Sequence, residues 1–128
     1  MPRTKSPILT EAELRLMDVL WVKGPCTVQH VLDSLEAHPP LAYNTVLTTI
    51  RILEKKGYVR HSKEGRAHVY RATVEREDAT RSEINRLVSR FFQNSHELLV
   101  LNILESRDLD AEVIQRLRRM LEANEESR

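Results

Sequence analysis

Hydrogen-bonding and basic side chains share one face of a helix that we predict for about residues 42–56 of this 128-residue chain. At 100° per residue, one side of this helix can enter a core and carries Ala42, Val46, Ile50 and Leu53. The side chains opposite them cannot, and their amide, hydroxyl and guanidinium groups are suited to base edges and phosphates. The residues that we expect in such a role are Tyr43, Asn44, Thr45, Thr48 and Arg51.

A strand-like period of two follows this helix, after Gly57 as its expected C-cap. We predict strands over residues 58–63 and 66–72, with Glu64-Gly65 as the two residues of the turn. The cross-strand pairs expected from this register are Val59–Tyr70, His61–His68 and Lys63–Arg66. The tip of the hairpin would then be basic.

Basic residues are concentrated in this part of the chain. Residues 41–71 carry seven Lys or Arg and two acidic residues, a net charge of +5, whereas residues 78–128 carry eight bases and ten acids, a net charge of −2. This division is expected where one region meets a polyanion and the other does not. The expected phosphate ligands are Lys55, Lys56, Arg60, Lys63 and Arg66.

Two shorter helices are predicted before this segment, one starting at the capping-box pattern of Thr10 and one capped by Thr27. Three helices and then a hairpin is the order of a winged helix-turn-helix, in which the third helix enters the major groove of DNA and the hairpin reaches the adjacent backbone. We therefore predict a mainly α-helical protein with a flexible arm at 1–9, a winged-helix DNA-binding domain at 10–74 and a helical dimerisation domain at 75–128.

The C-terminal helices are more apolar than one short chain can readily bury. Ser95 and Asp110 are the expected N-caps of the last two helices. Residues 98–104 between them are apolar almost all round, so we expect a second copy of the chain to cover them. The expected dimer interface contains Phe91, Phe92, Leu98, Leu101, Ile103, Leu104, Leu117 and Leu121.

The sequence does not contain the residues that several classes of function require. The sequence has only three glycines, no phosphate-cradling loop, no catalytic triad and no cluster of metal ligands, so we expect neither an enzyme nor a bound cofactor or metal. The one cysteine, Cys26, cannot form an internal disulfide and is expected to be a small buried residue. No apolar run approaches the roughly 18 residues of a membrane span, and we expect a cytoplasmic protein.

Two blocks of the sequence, LAYNTVLTTIRILEKKGYVRH at 41–61 and KEGRAHVY at 63–70, resemble the recognition helix and wing of the penicillinase-repressor (BlaI/MecI) family. The likeness covers about residues 8–122. It implies a winged-helix transcriptional repressor that binds a pseudo-palindromic operator of double-stranded DNA as a homodimer, with the C-terminal helices of the two chains intertwined.

The resemblance also implies a way in which the repressor is released from DNA. In the antibiotic-responsive members of that family, signalling leads to proteolytic cleavage within a Leu-Val-Leu-Asn-Phe-like segment, which destroys the dimer. Residues 99–103 match this segment except that Ile103 replaces the aromatic residue. A signalling protease would thus cut between Asn102 and Ile103; the alternative is that Asn102 only packs in the dimer helix.

Two other functions stay open at this point. One is a winged-helix regulator that senses a small effector between its domains, and the other is a winged helix used for protein docking. A docking module would show no salt-dependent DNA binding, whereas many phosphate contacts make affinity fall steeply with salt. His61 and His68 could also hold a metal, but two ligands make a poor site, and phosphate contact or packing within the hairpin is favoured.

Overall fold

The computed structural model describes residues 8–36, 41–106 and 109–126 of the chain. Within them, three helices are followed by a two-stranded antiparallel hairpin and then by three further helices, which confirms the mainly α-helical winged helix-turn-helix. The elements are α1 (Glu11–Lys23), α2 (Val28–Ser34), α3 (Tyr43–Lys56), β1 (Val59–Glu64), β2 (Ala67–Ala72), α4 (Arg76–Phe91), α5 (His96–Glu105) and α6 (Ala111–Glu126).

The chain divides into two compact units, Met1–Glu83 and Ile84–Arg128. The division lies within α4, and the first turns of this helix belong to the first unit. Ala79 is buried in the core of that unit, and Arg76 Nη1 lies 2.9 Å from Asp18 Oδ1. Of the arm predicted before the first helix, only the last two residues lie within the described part of the chain.

Side-chain caps fix the starts of four helices, as the sequence predicts. Thr10 Oγ1 accepts a hydrogen bond from the backbone N–H of Glu13 (3.1 Å), and Glu13 Oε1 accepts one from the N–H of Thr10 (2.9 Å), which completes the capping box of α1. Thr27, Ser95 and Asp110 each accept from the backbone N–H three residues further on, at 3.1, 3.1 and 2.9 Å.

The core of the first unit lies between α1, α2, α3 and the base of the hairpin. Gly57 ends α3 in the left-handed conformation (φ 90°), which directs the next two residues inward. The predicted inner face of α3 is confirmed for Val46, Ile50 and Leu53, none of which is more than 1% exposed. Ala42, also predicted on this face, is instead the exposed N-cap residue of the helix. The buried side chains from these elements include Leu16, Met17, Leu20, Val31, Val46, Ile50, Leu53, Tyr58, Val59 and Tyr70.

The register of the hairpin differs from the prediction by two residues. The pairs observed are Val59–Ala72, His61–Tyr70, Lys63–His68 and Glu64–Ala67, so the turn consists of Gly65 and Arg66 rather than Glu64 and Gly65. Gly65 adopts a positive φ of 64°, and glycine at the first central position favours a two-residue hairpin turn. The expected pairing was therefore wrong, but a shift of two leaves every side chain on its predicted face.

An isolated antiparallel bridge between Cys26 and Tyr70 links the hairpin to the segment between α1 and α2. The backbone groups of Cys26 and Tyr70 exchange two hydrogen bonds, at 2.9 and 2.8 Å. Cys26 is buried, as predicted. Burial raises the pKa of its thiol, against a smaller opposing effect of the charge on Lys23, so this cysteine is a packing residue.

The second unit contains the C-terminal part of α4 together with α5 and α6. Val88 of α4 is buried. The helix ends at Phe91, and Gln93 and Asn94 in the turn after it both adopt positive φ. No residue of α5 is buried. Among the described residues, no helix is long and apolar enough to cross a membrane.

Candidate nucleic-acid interface

The outer face of α3 carries the residues predicted for base or backbone contact, and all of them are exposed. The three apolar positions on the inner face hold the helix against the core, which leaves the opposite side chains in solvent. Thr49, which the sequence analysis did not include among the contacts, donates its hydroxyl to the carbonyl of Thr45 (2.8 Å). The exposed residues on the outer face and its flanks are Tyr43, Asn44, Thr45, Thr48, Arg51, Ile52 and Lys55.

Lys56 differs from the other predicted phosphate ligands. Its Nζ donates to Glu13 Oε1 at 2.7 Å and to the carbonyl of Ile8 at 2.9 Å. The side chains of Lys56 and Glu13 are 24% and 6% exposed. Lys56 therefore ties the end of α3 to the start of α1, and we leave it out of the interface proposed below.

The pKa of Glu13 reflects this pairing. Burial raises the pKa of its carboxyl, but the hydrogen bond and charge of Lys56, with the hydrogen bonds of Thr10, outweigh burial and lower the pKa below its usual 4.5. The pairing thus contributes stability above about pH 4.5, and that contribution is lost as the pH falls through the lower pKa of the folded state.

Lys56→Ala should lower the free energy of unfolding by about 2 kcal/mol at neutral pH, because it leaves a buried carboxylate without its cation. Denaturant unfolding at several pH values measures this, and the difference from the parent protein should shrink as the solution is acidified. Lys55→Ala, next to it but exposed, is the matched control and should stay within about 0.5 kcal/mol. Equal losses for the two variants would contradict the assigned role of Lys56.

The basic residues of the hairpin lie on different faces. Lys63 shares a face with His61 and with its cross-strand partner His68, whereas Arg60 lies on the other face, opposite Arg71. Arg66 lies at the turn. All three predicted ligands, Arg60, Lys63 and Arg66, are exposed.

Sequence reasoning missed Arg71 as part of this surface. Its Nη2 donates to Ser62 Oγ at 3.1 Å and to Glu64 Oε2 at 3.3 Å. Arg71 lies directly opposite Arg60, so the two arginines form one cross-strand pair of the hairpin. The correct register would have revealed this pair.

A polar contact connects the hairpin to α3. His61 Nδ1 donates to Glu54 Oε2 (2.7 Å), and the His61 ring stacks on His68, with 4.9 Å between ring centroids. The two histidines thus contact each other within the hairpin, and His61 also contacts α3. No group of three or more His, Cys, Asp or Glu suited to a metal ion occurs in the part of the chain that the structure describes.

A cleft separates α3 from the hairpin. Its volume is about 470 Å³, and its lining includes Tyr43 and Arg51 of α3, Arg66 and His68 of the hairpin, Gln29 of α2 and buried Tyr70. We call this the α3–hairpin cleft. Tyr70 lies beside Arg51: burial raises the pKa of the Tyr70 hydroxyl, as does the charge of Glu54, while Arg51 acts in the opposite direction.

The residues predicted for the dimer interface remain largely exposed in the second unit. Phe91 is 66% exposed and Leu101 is 44% exposed; of the eight predicted residues, only Phe92 is half-buried and the others are exposed. Asn102 and Ile103, the candidate cleavage point, lie within α5 and are both exposed. The described chain therefore leaves much of the apolar surface of α5 and α6 exposed.

Comparison with known proteins identifies the family. The penicillinase repressor family matches residues 9–123 of the chain. A penicillinase repressor from Bacillus licheniformis is 31% identical over 118 residues, which cover 92% of both chains. The methicillin resistance regulatory protein MecI from Staphylococcus aureus is 25% identical over 113 residues, covering 88% of this chain and 92% of MecI.

A solved structure shows the same likeness for the first unit. The DNA-binding domain of the repressor BlaI, determined in solution, superposes with a TM-score of 0.51 at 32% identity and covers 59% of this chain and 93% of that domain. The resemblance inferred from the recognition-helix and wing blocks is confirmed, and a repressor family agrees with the prediction that the chain is not an enzyme. The chain belongs to the penicillinase repressor family.

Proposed function

We propose that the protein is a transcriptional repressor that binds a pseudo-palindromic operator of double-stranded DNA as a homodimer. The observation that carries this proposal is the exposed polar and basic face of α3 beside a basic hairpin. Support comes from relatives that are named as repressors and from the DNA-binding domain of one of them. A cytoplasmic location is part of the same proposal.

In this proposal α3 enters the major groove, where its outer face meets base edges. Asn44 has the amide that can pair with adenine, and Arg51 has the guanidinium that can pair with guanine. Phosphate contacts fix the register of the protein on the duplex. The residues that we propose for them are Lys55, Arg60, Lys63 and Arg66, and we add Arg71 because it lies opposite Arg60.

The homodimer is proposed from the uncovered apolar surface of the second unit. A contiguous apolar surface of this kind is typical of an interface, and a two-fold dimer presents two α3 helices to two half-sites. Half-sites read in this way are separated by about one turn of DNA or a multiple of it. We propose that Leu98, Leu101 and Leu104 of α5 contact the partner chain.

We further propose that proteolysis releases the protein from its operator. A signalling protease that cuts between Asn102 and Ile103 would divide α5 within the proposed dimer interface. Both residues are exposed in the single chain, so access would depend on whether the partner covers them. Ile103 stands where the related cleavage segment has an aromatic residue.

The experiment that tests the proposed function is selection from the protein's own genomic DNA, followed by transcription from a selected promoter. We expect enrichment of a few sequences with two-fold symmetry and a lower transcription rate when the protein is added. Unselective recovery of fragments, or unchanged transcription from the enriched promoters, would contradict it.

A further inference from the structure

We propose that three residues at the junction of α1 and α4 set the spacing of the DNA half-sites that the dimer accepts. Asp18 and Trp21 of α1 contact Arg76, the first residue of α4, and we call these three residues the α1–α4 clamp. They are positioning residues, since none of them is among the residues proposed to contact DNA or the partner chain. The inference rests on the proposed function and adds to it a determinant of operator choice outside both proposed interfaces.

Arg76 makes two contacts with α1. Its Nη1 donates to Asp18 Oδ1 at 2.9 Å, and its guanidinium carbon lies 4.8 Å from the centroid of the Trp21 ring, within the distance of a cation–π interaction. The indole N–H of Trp21 donates in turn to the carbonyl of Val74 at 2.8 Å. Two residues of α1 thus hold both the chain just before α4 and the first residue of that helix.

A second anchor lies one turn further along α4. Ala79 is 5% exposed and packs in the core of the first unit. The segment before α4 is also held at the end of α3, since the N–H of Thr73 donates to the carbonyl of Tyr58 (2.8 Å) and its hydroxyl donates to that of Gly57 (2.6 Å). A helix held at one point can swing about it, whereas two anchors on its first turn fix its direction. The clamp and Ala79 together therefore fix the direction in which α4 leaves the first unit.

The length of α4 makes this direction important. The helix has 16 residues, Arg76–Phe91, and is about 24 Å long at 1.5 Å per residue. A change of about 10° at its start would move its other end by about 4 Å, which exceeds the rise of one base pair, about 3.4 Å. Within this helix the chain passes from the unit that carries α3 to the unit proposed to dimerise. The distance between the two α3 helices of a dimer would therefore depend on how α4 starts.

The clamp contributes little to folding by itself. The side chains of Arg76 and Asp18 are 49% and 47% exposed, and ion pairs as exposed as this stabilise a fold only weakly. Arg76→Ala should therefore fold, keep Ala79 in the core and present α3 as the parent protein does. The loss of the clamp should be measurable only where two half-sites must be bound at once.

The test titrates the full-length protein with operators whose half-sites are moved apart or together by one or two base pairs. For the parent protein we expect the two-base-pair changes to lower affinity about 100-fold, because the second half-site can no longer be bound. For Arg76→Ala the same changes should lower affinity about tenfold or less, while affinity for a duplex with a single half-site stays within about twofold of the parent value. Asp18→Asn should reproduce this profile, and the double variant should add little, because the two residues share one contact.

Arg81→Ala is the matched control, because Arg81 is an exposed arginine of α4 whose ion-pair partner, Asp78, lies 4.0 Å away in the same helix. It should keep the spacing preference of the parent protein. If Arg76→Ala keeps that preference too, or if both variants lose it, the clamp does not set the spacing. A loss of single-half-site affinity equal to the loss on the operator would give Arg76 a structural role instead and would also overturn the proposal. A parent protein that binds every spacing alike would contradict the proposed dimer on two half-sites, so the two failures are distinguishable.

Discussion

Replacement of Leu101 by aspartate should convert the proposed dimer into a monomer and lower operator affinity by about 100-fold or more. Leu101 lies in α5, which has no buried residue in the single chain, so the variant should fold normally as a monomer. In the dimer, each copy would place a carboxylate in an apolar interface, at a cost of several kcal/mol. Loss of the second half-site contact removes a gain in affinity of order 10²–10⁴.

Sedimentation at micromolar concentration and operator titration measure this result together. Gln115→Asp introduces the same charge on α6, but on the side opposite its apolar stripe, and should leave both the dimer and the affinity unchanged. A Leu101→Asp variant that still sediments as a dimer would show that the chains associate through another surface.

The second large effect is expected for Arg51→Ala. If Arg51 pairs with a guanine, its removal should weaken operator binding about 10- to 100-fold, which corresponds to the roughly 1–3 kcal/mol of one good base contact. Binding to an unrelated duplex should fall far less, because that binding depends on phosphates.

Titration of the operator and of a scrambled duplex at one salt concentration separates the two effects. Lys55→Ala is the control from the same face of α3 and should weaken binding to both duplexes alike, with a reduction of about one in the slope of log affinity against log salt. Equal losses on the two duplexes for Arg51→Ala would contradict a base-reading role.

The inner and outer faces of α3 could be predicted because helical periodicity is a local property. Val46, Ile50 and Leu53 repeat at the spacing of one helical side, and the exposed residues opposite them follow directly. The caps at Thr10, Thr27 and Ser95 were predictable for the same reason: each depends on atoms within three residues.

The contacts that sequence reasoning missed join residues far apart in the chain. Lys56 looks like one more cation at the end of a basic helix, and nothing within α3 indicates that it pairs with Glu13 of α1. The cleft likewise combines side chains from α2, α3 and the hairpin. The hairpin register was predicted wrongly for a local reason. Glu64-Gly65 and Gly65-Arg66 overlap, and each pair can form a two-residue turn.

Local sequence patterns also do not show how far along α4 the first unit extends. The sequence predicts a helix after the hairpin, but it does not show that the same helix serves two units. Ala79 packs in the winged-helix core, while Val88 is buried further along α4. Short-range periodicity shows that both residues are on a helix and does not show which core each one enters.

We propose that α3 and the hairpin together form a sequence-specific DNA-binding surface. The most direct test is to titrate the full-length protein with its selected operator and with a scrambled duplex at several salt concentrations. We expect the operator to bind at least about 10³-fold more tightly than the scrambled duplex, and log affinity to fall linearly with log salt for both duplexes. Equal affinity for the two duplexes, or no dependence on salt, would contradict it and would favour a winged helix that docks on protein.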